Sequence, residues 1–211
     1  MGLEQVIADA KDCASNFWWQ AHDAQDYNGA AQRFVKQEAV IARYTGVTID
    51  AETASYHFAE ALRTYDRFVT KLKESSDALD LQRTLLAHFT EVYASLGYSE
   101  EVAKQNHAWW INWAYSRISQ KKLRSKEDKQ TRDLFNKYHA EFVLNLQDEH
   151  KTKYDLDTDA VIGISALNMA AIYRGHNTRN WSFAEAQLGL YYQELFTTLE
   201  TKKSTPQGQV G

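Results

Sequence analysis

One stretch of the chain is almost free of polar residues, and it constrains the fold more than any other feature. Between Ala160 and Tyr173 only Ser165 and Asn168 are polar, and none of the residues is charged. A helix that is apolar nearly all round is buried on most sides, whereas a surface helix carries a single apolar stripe. The run is too short to span a bilayer. We therefore expect residues 158–173 to form the central buried helix of a soluble domain.

The rest of the chain also favours helices. Only one Pro and nine Gly occur in 211 residues, and apolar side chains recur at helical spacing instead of alternating as in strands. The pattern predicts an all-α fold of about eight helices in four consecutive antiparallel hairpins, which begin near residues 3, 50, 99 and 158. These hairpins form either a globular array around the buried helix or a solenoid-like bundle. Residues 1–201 are expected to form a single domain, and the polar tail 202–211 to be disordered.

Turn and capping residues predict where the helices begin and end. Asn28-Gly29 indicates a turn before the second helix, which ends at Gly46. Asp50 is a residue type that caps helix N-termini, and it begins a third helix that runs to about Lys73.

The next two helices are bounded in the same way. Residues 75–77 interrupt the helical pattern and cap a fourth helix, about 77–96. Gly97 is expected just beyond its end, with Tyr98 as the hydrophobic residue that follows. Ser99 caps a fifth helix that carries a group of tryptophans. So many aromatic side chains predict burial between two layers: Trp109, Trp110 and Trp113.

Two His-x-x-Glu pairs are the candidate metal ligands. His57 shares a helix face with Glu60, and His88 with Glu91, because residues three apart are neighbours on a helix. On two antiparallel helices the pairs could offer two imidazoles and two carboxylates to a divalent metal. A turn near residue 75 places the two glutamates level and offsets the two histidines by about 7 Å along the axis. The alternative is that both pairs are solvated or hydrogen-bonded side chains at the edge of the apolar stripe.

Two Arg/His spacings provide a remote alternative. Arg83 with His88, and Arg132 with His139, have the Arg-x4-His and Arg-x6-His spacings used by small all-helical ribonucleases of the HEPN class. These spacings alone do not indicate membership of that class. The formal net charge of −4 argues against an RNA substrate and against general nucleic-acid binding, which needs a basic surface.

Other catalytic and cofactor motifs are not recognisable in the sequence. No Gly-rich phosphate loop, nucleophile elbow, paired-Cys metal site or Ser/His/Asp order occurs. Asp155, Asp157 and Asp159 resemble the start of an EF-hand loop, but Ala160 and Ala166 stand where that loop needs Gly and Glu. The sequence therefore leans toward a non-enzymatic protein with no cofactor, and the divalent metal remains the alternative.

The leading functional hypothesis is a helical module that binds another protein, such as an adaptor, an inhibitor or an immunity-type protein. Acidic residues dominate positions 1–26, whereas residues 119–132 are net positive. Separated surfaces of opposite charge steer protein partners, and aromatic and Arg side chains dominate binding hot spots. The alternative is an ordinary solvated face and a simple connecting loop. The candidate contacts are Trp19, Lys121, Lys122, Arg124, Arg174, His176, Arg179 and Trp181.

The sequence also carries expectations about location. Cys13 is the only cysteine, so no intrachain disulfide is possible, which suits a reducing compartment. The N-terminus lacks a basic region followed by an apolar core, so we expect no secretory signal. We therefore expect a cytoplasmic protein that does not associate with a membrane.

Overall fold

The computed structural model describes residues 25–72 and 75–119, with isolated helical positions at 4, 5, 130, 133, 134, 137, 141, 145, 148, 149, 152, 153, 197 and 200. No strand occurs among these residues, so the all-α prediction is confirmed for this part of the chain. The predicted central helix 158–173, the count of eight helices and the tail 202–211 lie outside the described residues and stay predictions. The described helices are α1 (Tyr27–Thr45), α2 (Ala51–Lys71), α3 (Ser75–Ser95) and α4 (Glu100–Ser119).

The first helix begins where the sequence indicates a turn. The Asp26 carboxylate accepts a hydrogen bond from the Gly29 amide at 3.0 Å and so caps α1, whose first N–H groups have no partner within the helix. Asn28 and Gly29 therefore belong to the first helical turn, and the predicted turn there is wrong. The other end is as predicted. Gly46 follows α1 with a φ of 81°, a left-handed conformation that favours glycine.

The second and third helices pack against each other in antiparallel directions. Asp50 caps α2 as predicted, because its carboxylate accepts from the Thr53 amide at 3.1 Å. The helix ends at Lys71 and α3 begins at Ser75, so the turn comes earlier than its predicted position near residue 75. Beside this turn, Lys71 Nζ lies 3.8 Å from Asp77 Oδ2. An earlier turn shifts the register of the whole helix pair.

The connection from α3 to α4 is the predicted glycine-ended turn. Gly97 has a φ of 80° and donates to the Ala94 carbonyl at 2.9 Å, and Tyr98 donates to the Tyr93 carbonyl at 2.8 Å. These two bonds satisfy carbonyl groups that the helix end leaves free. The Tyr98 ring packs edge-on against the Tyr93 ring, with centroids 5.6 Å apart. Ser99 then caps α4 by accepting from the Val102 amide at 3.4 Å.

Aromatic side chains of α2, α3 and α4 form the centre of the core. Tyr65 meets Trp110 edge-on at 4.6 Å between ring centroids, and Trp109 stacks on Trp113 at 5.7 Å. All three tryptophans are at most 2% exposed, so their predicted burial is confirmed. Offset and edge-to-face pairs of this kind contribute about 0.5–1.5 kcal/mol beyond the area that they bury. Within the described residues, no helix is long and apolar enough to cross a membrane.

Candidate metal centre

Two histidines from different helices lie in direct contact. His57 is on α2 and His88 is on α3, and their Nδ1 atoms are 3.2 Å apart. The ring centroids are 5.5 Å apart and the ring planes are tilted by 44°. A neutral imidazole has one nitrogen that donates and one that accepts. The contact therefore requires one Nδ1 to carry a proton and the other to accept it, so the two rings share a single proton.

This contact corrects the predicted register of the two His-x-x-Glu pairs. The predicted offset of about 7 Å between His57 and His88 is wrong, because the turn between α2 and α3 comes earlier than residue 75. With the histidines level, Glu60 stands opposite Leu85, which is about six residues or about 9 Å along the axis from Glu91. Glu91 is exposed. The helices therefore bring the imidazoles together and separate the two carboxylates.

Glu60 is the carboxylate next to the histidine pair, one helical turn from His57. Its Oε1 accepts from Arg63 Nη1 at 2.5 Å. Arg63 Nη2 in turn donates to Asn28 Oδ1 at 2.6 Å, and the guanidinium lies 5.8 Å from the centroid of the Tyr27 ring. Among the described residues, no group of three or more His, Cys, Asp or Glu side chains is placed to hold a metal. A third ligand from Glu60 therefore requires its carboxylate to turn away from Arg63.

The electrostatic surroundings keep His88 in its neutral form. Burial lowers the pKa of His88, and the neighbouring His57 lowers it further. The charge of Glu60 acts in the opposite direction, and that of Arg67 adds to the lowering. At neutral pH the imidazole is therefore uncharged. This is the form that binds metal ions, because a ligand nitrogen needs a free lone pair.

The spacings shared with HEPN ribonucleases gain no support from the described residues. Arg83 is exposed and its Nη1 lies 3.2 Å from Asp80 Oδ1, whereas His88 faces α2. Residues five apart on a helix point about 140° away from each other. Arg132 and His139 lie outside the described residues. The ribonuclease alternative stays a prediction.

The candidate protein contacts lie outside the described residues, so the protein-binding hypothesis stays a prediction. The residues concerned are Trp19, Lys121, Lys122, Arg124, Arg174, His176, Arg179 and Trp181.

The structure also shows a buried carboxylate that sequence reasoning missed. Glu38 on α1 is 4% exposed and accepts from the Tyr98 hydroxyl at 2.7 Å. Lys153 donates to the Leu96 carbonyl, and its Nζ lies 4.0 Å from the centroid of the Tyr98 ring. The sequence contains one sign of this burial, because Glu38 occupies the apolar face of α1. Arg63 was missed too, although it stands one turn from Glu60.

Comparison with known proteins does not assign a family. No family model matches the chain, and neither a curated protein nor a solved structure matches it. The contact of His57 with His88, and the side chains around it, are the features that bear on function.

Proposed function

We propose that this protein binds a divalent transition metal ion of the zinc class through His57 and His88, with Glu60 as the third ligand. The observation that carries the proposal is the 3.2 Å separation of the two Nδ1 atoms. In a tetrahedral zinc site with Zn–N distances of about 2.0–2.1 Å, two ligand nitrogens are about 3.3 Å apart. The imidazoles are thus already at the separation of two ligands on one ion.

Metal binding at this place needs little rearrangement of the two imidazoles. The ion would replace the shared proton and lie off the line between the two Nδ1 atoms, about 2.0–2.1 Å from each. The ring that carried this proton on Nδ1 carries it on Nε2 instead. Side chains on a helix leave the backbone tilted toward its N-terminus, so the Glu60 carboxylate can reach the turn that carries His57 once it turns away from Arg63. Imidazole and carboxylate ligands together suit zinc and its neighbours in the first transition series. Water completes the coordination.

The proposed role is binding, with a direct effect on stability. An ion held by His57 and His88 joins α2 to α3, and a ligand that binds only the folded chain stabilises it by mass action. The described residues supply no further catalytic group beside the pair, so the proposal extends to no reaction.

The test is a zinc titration of the metal-free full chain, followed by calorimetry and by thermal unfolding. We expect one zinc ion per chain and a higher thermal midpoint. His57→Ala and His88→Ala each remove a ligand and should weaken binding by at least about 100-fold, the upper end of the loss from mutating groups that only support a ligand. Cobalt in place of zinc should give the visible absorption of a tetrahedral site.

A matched control separates this site from adventitious binding to histidine. His107 on α4 is also half-buried, and its Nε2 lies 2.9 Å from the Gln82 carbonyl oxygen instead of another imidazole. His107→Gln should therefore leave zinc affinity unchanged. If both alanine variants bind zinc as tightly as the natural chain, the His57–His88 contact is only a hydrogen bond and the proposed function is wrong.

A further inference from the structure

A line of polar side chains crosses the outward face of α2, from α3 on one side to α1 on the other. Glu60 lies one helical turn from His57, and its charge raises the pKa of His88. From Glu60 the line continues to Arg63 at 2.5 Å, and from Arg63 to Asn28 at 2.6 Å. Asn28 belongs to the first turn of α1. Arg63 thus links Glu60, the carboxylate beside the histidines, to Asn28 on α1.

We infer that Arg63 competes with the metal for Glu60 and so couples metal binding to the docking of the first turn of α1 on α2. The inference rests on the proposed metal site and adds its regulation. Glu60 is turned to Arg63, and the part of the chain that the structure describes contains no group of three possible metal ligands. The carboxylate must therefore move toward the imidazoles when it becomes a ligand, which weakens its contact with the guanidinium.

The first turn of α1 is held on α2 by side chains, and Arg63 is one of the principal ones. It donates to Asn28 and lies over the Tyr27 ring, whose hydroxyl donates to Asp66. The bond to Glu60 fixes the guanidinium in the position from which it reaches Asn28. When Glu60 leaves, Arg63 loses its anionic anchor and its hold on α1 weakens.

Coupling of this kind is reciprocal. If metal binding loosens the first turn of α1, then loosening that turn must raise metal affinity by the same factor. Arg63 is therefore an affinity-determining residue that is not itself a ligand. A partner that draws the first turn of α1 away from α2 would increase metal binding, and one that fixes the turn would oppose it.

The experiment compares zinc dissociation constants in a double-mutant cycle of Arg63→Gln and Glu60→Gln, measured on the full chain. Arg63→Gln frees the carboxylate and should tighten zinc binding about tenfold, the factor that corresponds to one lost hydrogen bond to a charged group. In the Glu60→Gln background the same change should have little effect. A tenfold gain that depends on Glu60 identifies competition for that carboxylate.

Arg67→Gln is the matched control for loss of positive charge. Arg67 also acts electrostatically on His88, but it donates to Thr64 at 3.3 Å. Any gain in zinc affinity from this variant should persist in the Glu60→Gln background, because it reflects charge alone.

Hydrogen exchange of the amides in the first turn of α1 supplies a second readout. Zinc should speed this exchange in the natural chain, whereas in Arg63→Gln exchange should already be fast and zinc should not change it.

Weaker zinc binding by Arg63→Gln would show that Arg63 orients Glu60 as a ligand, and unchanged affinity with unchanged exchange would show no coupling. Either result overturns the inference while the imidazole site stands. Loss of zinc binding to the imidazoles themselves overturns the proposed function instead.

Discussion

Two half-buried histidines show how the immediate neighbour decides what an imidazole can do. His107 Nε2 contacts the Gln82 carbonyl oxygen, which only accepts hydrogen bonds, so this nitrogen carries the proton and the tautomer is fixed. His88 instead contacts the Nδ1 of His57, and in the proposed site a metal ion replaces the proton between them. The first arrangement stabilises the packing of α4 on α3. The second is the contact on which the proposed metal site depends.

The environment of His107 predicts a pH dependence of stability. Burial lowers the pKa of His107 from its ordinary value of 6.5, and the bond to Gln82 only partly opposes this shift. The unfolded chain therefore binds this proton more readily than the folded chain. The contribution of neutral His107 to the free energy of unfolding is fully present above pH 6.5. It is lost as the pH drops through the lower pKa of the folded state.

Chemical denaturation in the presence of a chelator, at several pH values between about 7 and 5, measures this effect. The His107→Gln variant keeps an N–H donor and cannot titrate, so its stability should fall less steeply over that range. His88, whose pKa is also lowered, titrates in both proteins and contributes to the slope that remains. Equal slopes in the two proteins would assign the whole effect to other groups.

At the scale of helices, the sequence predicts ends better than register. Asp50, Gly97 and Ser99 are in their predicted roles because each signal involves only a few neighbouring residues. The turn between α2 and α3 depends on how two long helices pack, which no local signal specifies. If the predicted turn between two antiparallel helices is wrong by one residue, the predicted pairing of residues across the two helices is wrong by two. For this reason the candidate histidines were identified from the sequence, but their contact was not.

The two glycines with positive φ after α1 and α3 allow the cost of ending a helix to be measured. Gly46→Ala meets no atom within 4 Å, so it should destabilise the fold by about 1 kcal/mol through its left-handed backbone alone. Gly97→Ala has the same backbone penalty, and its new methyl group would also lie 3.3 Å from Lys153 Cε. Denaturation midpoints should therefore rank Gly97→Ala as the more destabilising substitution. Equal effects would mean that Lys153 moves aside at no cost, and the reverse order would mean that the new methyl group packs favourably against it.

At the scale of the whole molecule, one polar contact joins parts that are distant in sequence. Glu38 and Tyr98 are 60 positions apart, and their hydrogen bond ties α1 to the turn between α3 and α4. Pattern reading could not find this pair, since a single glutamate among apolar residues gives no sign of its donor. The aromatic core was easier to predict, because its tryptophans repeat at helical spacing.

Tyr98→Phe tests the contribution of this link. The substitution keeps the ring against Tyr93 and removes the hydroxyl that donates to buried Glu38, so it should cost about 1–3 kcal/mol. Tyr56→Phe is the matched control, because Tyr56 is 63% exposed and its hydroxyl is accessible to water. Its effect should stay within about 0.5 kcal/mol. Equal effects of the two substitutions in urea unfolding would show that the bond contributes nothing.

The same hydrogen bond imposes an order on a chain that is still being synthesised. Ribosomes add about 5–20 residues per second, so Glu38 emerges about 3–12 seconds before the phenol that lies 60 positions later. A buried carboxylate is costly unless all of its hydrogen-bond donors are in place, and the Tyr98 hydroxyl is one of the donors to Glu38. The complete set of donors therefore forms only after Tyr98 has been made. We expect the burial of Glu38 to be completed late in biosynthesis, although α1 precedes the other three described helices in the chain.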